Sequence, residues 1–127
     1  MSYELPAPGS HGITLQEAIG MTTLYRANRE AILKDEYQGM DILVKSHTFN
    51  IQDFQPIFSN PSCAGLRIYY GMSEDLKVHA IVVGTDNEGN DIIPLQGGET
   101  SINTGGVILE DSKRCPPYCP PPCDLNP

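Results

Sequence analysis

The sequence predicts an α+β fold: a small antiparallel β-meander, with one long amphipathic helix and one short helix packed on one face. Three observations carry this. A capping box opens a stretch of helical apolar periodicity near the N-terminus. Short β-prone runs separated by turn-forming clusters fill the second half. The 127 residues give room for one hydrophobic core rather than two.

The first element is the long helix. Thr14 suits an N-cap, and Glu17 three residues on completes the box. The periodicity predicts a helix over residues 15–35, ended by the turn at Tyr37, Gln38 and Gly39. Ala18, Met21, Leu24, Tyr25, Ala31 and Ile32 share one broad face, which predicts the buried side. Asn28 lies among them and is expected to seek hydrogen bonds in the core. A short strand is predicted over residues 41–46, centred on Ile42, Leu43 and Val44. A short helix follows over 51–59, with Asn50 as N-cap and Phe49 and Phe54 placed for a hydrophobic staple. Pro56 lies deep for a first-turn proline, so distortion is expected there.

The meander comprises strands over residues 66–71, 77–85 and 91–95, the last an edge strand because Pro94 cannot donate to a ladder. Pairing Gly71 with Lys77 sets Tyr70, Ile68 and Leu66 opposite Val78, Ala80 and Val82, an apolar face. Arg67, Tyr69, Lys77, His79, Ile81 and Val83 then share the other face, which the helices leave uncovered unless the Gly-rich stretch 96–107 folds over it. These six residues are the candidate interaction surface, for a protein partner or a second copy of the chain. A last short strand is possible over 107–109. Around this single domain, residues 13–110, residues 1–12 read as a flexible leader and 111–127 as a Pro/Cys-rich tail.

Composition narrows the function classes. Hydrophobic residues make up 39% and charged residues 19%, as in an ordinary globular protein. A net charge of −8 with eight basic residues opposes a nucleic-acid surface, which needs clustered cations. The longest apolar run, Ala80 to Val83, is too short to span a bilayer, and Met1 to Pro6 lacks the regions of a secretory signal. No membrane association is expected, and the default location is the cytoplasm.

Three stretches, Leu24-Tyr-Arg-Ala-Asn-Arg-Glu30, Gly65-Leu-Arg-Ile-Tyr-Tyr-Gly-Met72 through Leu76-Lys-Val-His-Ala80, and the Cys-Pro tail, carry a resemblance over most of residues 13–123. On these the chain resembles a group of short proteins of Bacteroidetes-type bacteria for which no activity is established. The resemblance implies one bacterial domain with a recurrent tail and brings no functional residue with it.

Residues able to carry chemistry are few. Cys63, just before a strand, would need a base to act as a nucleophile, and His47 or His79 could supply one from neighbouring strands. Alternatively Cys63 is a small buried hydrophobe. Cys115, Cys119 and Cys123 could offer three thiolates to a metal. In a polyproline II path, however, cysteines four apart stand roughly 12 Å from one another, too far for one metal or a local disulfide. Turns or cis X-Pro bonds would shorten that span. The alternative is a tether or recognition segment. The paired glycines Gly97-Gly98 and Gly105-Gly106 lack the Lys-Ser/Thr ending of a phosphate loop. No cofactor motif is found. The sequence therefore favours a non-enzymatic interaction module, with a small thiol-dependent enzyme or metal-binding protein as the alternative.

Overall fold

The computed structural model describes residues 3–94 and 106–127 and has mixed α+β architecture. Its elements are α1 (Leu15–Asn28), β1 (Ser46–Thr48), α2 (Gln55–Phe58), β2 (Gly65–Met72), β3 (Val78–Thr85), β4 (Asp91–Ile92) and β5 (Lys113–Cys115). Two compact units are formed, each from segments distant in sequence. The first comprises Met1–Ala7, Phe49–Gly71 and His79–Asp111; the second comprises Pro8–Thr48, Met72–Val78 and Ser112–Pro127.

The first unit is built on an antiparallel sheet of order β2-β3-β4. Strand β3 is central. Thr85 pairs with Asp91 and Gly84 with Ile92, and Leu109 continues that edge through two backbone bonds with Val82, of 2.8 and 2.9 Å. The strand predicted over 107–109 is thus a single bridge. The third strand ends at Ile92, one residue before the exposed Ile93 and two before Pro94. Ile57, Ala80, Val82, Val83 and Thr85 are buried. Gly84 sits in tight surroundings: a Cβ would stand 3.0 Å from the Cys63 sulfur and 3.2 Å from Ile57 Cγ2. The short-helix region opens as a 3₁₀ turn, Ile51–Phe54, and becomes α-helical only from Gln55. Pro56 accordingly falls at the start of α2, where a missing N–H is harmless. Asn50 accepts from the Gln52 N–H at 2.9 Å, and Phe49 meets Phe54 edge-on at 5.8 Å, as the cap and staple predict.

The second unit is organised by a strand pair that the sequence reading did not contain. Ser46, His47 and Thr48 pair antiparallel with Cys115, Arg114 and Lys113. The expected strand over 41–46 is displaced: residues 42–44 are not a strand, although Ile42 and Val44 are buried. Arg114 explains how the segment is held. Its guanidinium donates to the carbonyls of Val78 at 2.5 Å and Asp41 at 2.9 Å, while the Val78 N–H donates to Ile42. Cys115 is fully buried, and its carbonyl accepts from the Lys45 N–H at 2.6 Å. The residues read as a tail therefore include an integral part of this unit. The residues read as a flexible leader likewise make defined contacts in the first unit. The Tyr3 ring packs where a Cβ on Gly89 would otherwise stand, and Leu5 lies against Gly65.

Helix α1 begins as predicted, with Thr14 Oγ1 accepting from the Glu17 N–H at 3.0 Å. It ends after 14 residues, not about twenty. Its next turn tightens, Leu33 N–H bonding Glu30 rather than the residue four back, and the backbone is extended at Lys34. The inner face also differs. Tyr25, one of the predicted face, is exposed but donates its hydroxyl to Val44 at 2.6 Å. Arg29, from outside that face, donates to Leu43 at 2.7 Å. Met21, Leu24 and Ile32 are more exposed still than Tyr25. Asn28 is exposed too, its amide donating to the Leu24 carbonyl at 2.9 Å within the helix, so no core role falls to it.

Between β2 and β3 the turn is closed by Ser73 N–H to Lys77 at 3.0 Å and by Leu76 N–H to Ser73 at 2.8 Å. Lys77 therefore faces Ser73, two residues beyond the expected Gly71, a shift that preserves which residues share a face. Leu76 holds φ at +68°, the left-handed position that such three-residue loops usually give to glycine. Leu76→Gly is expected to raise stability by about 1 kcal/mol, the cost of left-handed backbone for an L-residue, in urea denaturation. Unchanged or lowered stability would mean that Leu76 packing outweighs its backbone strain.

Candidate functional site

Strand β2 is the element on which functional geometry converges. Among the described residues it pairs with β3 alone, leaving one long edge without a strand partner. Its alternation sends Leu66, Ile68 and Tyr70 to one face, where they are 49%, 58% and 82% exposed. On the opposite face Arg67 and Tyr69 converge on Asp91. The Arg67 guanidinium donates to Asp91 Oδ1 at 2.5 Å and to the Gly89 carbonyl at 2.9 Å. Tyr69 donates to the other Asp91 oxygen, and Arg67 also reaches the Tyr3 hydroxyl at 3.2 Å. Bonding to Tyr3, Tyr69 and Asp91 raises the Arg67 pKa further, so the group is a permanent cation engaged by neighbours.

This reverses the expected exposure. Of the six residues predicted to form the open face, Val83 is 3% exposed, and Arg67, Lys77, His79 and Ile81 are half-buried. Tyr69 is exposed but held by Asp91. The large apolar side chains that solvent meets on β2 are those assigned to the buried face. Helix α1 belongs to the second unit and buries no residue, and α2 is one turn long and sets Ile57 against Gly84. The stretch expected as an alternative cover, 96–107, lies outside the described residues except for Gly106 and Val107.

The turn after β3 is self-contained. Asp86 accepts from the N–H groups of Glu88 and Asn90, both at 2.9 Å, and its carboxyl is held below the usual carboxylate range mainly by the Asn90 bond. Gly89 takes φ +88° to close it. The Asp86 oxygens are thus committed to the backbone of their own turn.

The thiol candidates are dispersed. The Cys63 sulfur donates to the Gly65 carbonyl at 3.4 Å. His47 Nδ1 bonds Ser112 Oγ at 2.7 Å, and His79 Nδ1 pairs with Glu110 at 2.9 Å. The Cys63 thiol is thus engaged by a backbone carbonyl and makes no hydrogen bond to an imidazole among the described residues, which a thiol–imidazole pair would require. In the tail, Cys115 and Cys119 form a disulfide with Cα atoms 4.5 Å apart. The bonds Cys115–Pro116 and Pro116–Pro117 are cis, the departure from polyproline II that the spacing argument required. With two sulfurs joined, the three-thiolate set is not formed, and no group of three metal-ligating side chains lies together among the described residues. Cys123 is an exposed free thiol.

No protein-family model, curated protein or solved structure matches the chain. No helix among the described residues is long and apolar enough to cross a membrane.

Proposed function

We propose that the protein is a non-enzymatic interaction module that receives an extended strand along the free edge of β2. The observation supporting this is the eight-residue strand with one edge unpartnered among the described residues and with Leu66, Ile68 and Tyr70 exposed beside it. Soluble proteins usually blunt such edges with charges, prolines or bulges. The strand Gly-Leu-Arg-Ile-Tyr-Tyr-Gly-Met has one charge, Arg67, which points away and is held by Asp91. Strand addition supplies main-chain hydrogen bonds for affinity and alternate side chains for selectivity. A second copy pairing β2 with β2 is the simplest occupant, because a two-fold interface buries the same apolar row on both sides. Residues 113–115 are held in β5 and so take no part in a tether. A disulfide also belongs to oxidising surroundings, which argues for a location outside the cytoplasm.

Sedimentation of the whole chain tests the reading. A dimer is expected in the tens of micromolar range, typical of modest interfaces, and Ile68→Lys should return it to monomer with unchanged circular dichroism. A native monomer that also captures no Leu/Ile-rich extended peptide would overturn it. A dimer that survives Ile68→Lys would place the interface elsewhere.

A further inference from the structure

The second unit contains a cavity of about 290 Å³ between α1, the start of β1 and the C-terminal residues. Its lining has a charge pattern opposite to that of the chain. The protein carries sixteen acidic and eight basic side chains, yet Arg26 and Lys45 line this cavity and no carboxylate does. Lys45 is exposed, and its ammonium meets no acceptor among the described residues. Ser46 and Thr48 line the same wall, two apart on one strand and so on one side of it. The Thr22 hydroxyl is turned back to the Ala18 carbonyl at 3.0 Å, so the donors left for a ligand lie on the Lys45–Thr48 segment. Arg26 is fixed rather than free. It donates to the Leu125 carbonyl at 2.6 Å, which leaves other N–H groups of its five directed elsewhere. Leu125 is presented by a tight turn closed by reciprocal bonds between Cys123 and Asn126, of 3.1 and 3.2 Å. Tyr25, Pro120 and Leu125 add apolar surface.

Two cations, two uncommitted hydroxyls and an apolar flank in a cavity of roughly ten water volumes define a ligand by charge and size. We infer that this cavity binds a small organic carboxylate, the anionic group held by Lys45 with Ser46 and Thr48 and the carbon skeleton lying toward Tyr25 and Leu125. The inference is independent of strand addition at β2, and either can fail without the other. Inorganic phosphate has the charge but nothing to place on the apolar flank, so the carboxylate is the better fit.

Amide NMR on the whole chain with succinate as probe tests it. Saturable shifts are expected at Ser46, Thr48, Cys123 and Leu125. Lys45→Met should weaken binding by roughly tenfold, as loss of one charge-assisted contact does. Lys34→Met, an exposed lysine outside the cavity, should leave it unchanged. The uncharged diamide of succinate should cause no shifts. Absence of saturable shifts, equal response to the diamide, or equal weakening by both lysine variants would overturn the inference. Binding of inorganic phosphate in preference to succinate would overturn the organic assignment.

Discussion

Arg114→Met is expected to destabilise the protein by about 3 kcal/mol, because hydrogen bonds from a charged donor are each worth about 1.5–3 kcal/mol. The Asp41 and Val78 carbonyls receive that guanidinium in a partly buried setting, and methionine keeps the length of the side chain while removing every donor. The expected fall in melting temperature is on the order of 10 °C. Had residues 111–127 been an appendage, the substitution would do nothing, so a change below about 0.5 kcal/mol, the level of ordinary surface substitutions, would return β5 to that status. Chemical denaturation followed by histidine signals of His47, which faces Arg114 across the strand pair, would localise the loss.

Ile57→Ala should cost about 3 kcal/mol, within the range for buried isoleucine truncations. Ile57 is 4% exposed, and its Cγ2 methyl lies against Gly84. The contact predicts a coupling as well as a loss. Gly84→Ala alone should destabilise by about 1–3 kcal/mol through crowding of Cys63 and Ile57. In the Ile57→Ala background the added methyl finds vacated space, so the two costs should sum to less than their separate values. Strict additivity in urea denaturation would show that Cys63 alone sets the clash, or that the α2–β3 contact relaxes.

What was legible in the sequence was local. Thr14 with Glu17 and Asn50 with its staple each specify their geometry within six residues, and each is present. The pairing of β1 with β5 was not legible, because Ser-His-Thr and Lys-Arg-Cys carry no alternation and lie more than sixty residues apart. Their register depends on where Arg114 finds carbonyl acceptors. The inner face of α1 was misjudged for a related reason. Periodicity placed Tyr25 on the inner face together with Met21 and Leu24 and left Arg29 off it, but it is the donors of Tyr25 and Arg29 that bond to Val44 and Leu43. On β2, parity correctly predicted which side chains share a face. Which face lies open depends on the rest of the packing, and the strand's own residues do not contain that information. Most of the six residues expected to lie open are half-buried or buried, while Leu66, Ile68 and Tyr70 of the other face are exposed.

Both units are discontinuous in the chain, and this bears on how the protein is made. The second unit draws its first segment from residues 8–48 and its last from 112–127. On the ribosome, β1 emerges some sixty-five residues before the strand that pairs with it. Until then the segment of residues 42–45 has neither Arg114 to fasten it nor the Cys115 carbonyl to accept from Lys45. Synthesis from the N-terminus therefore cannot complete this unit stepwise, and its final organisation must wait until β5 has been made. A released fragment ending at residue 111 should leave residues 41–48 open to protease, and the chain that includes residues 112–127 should protect them.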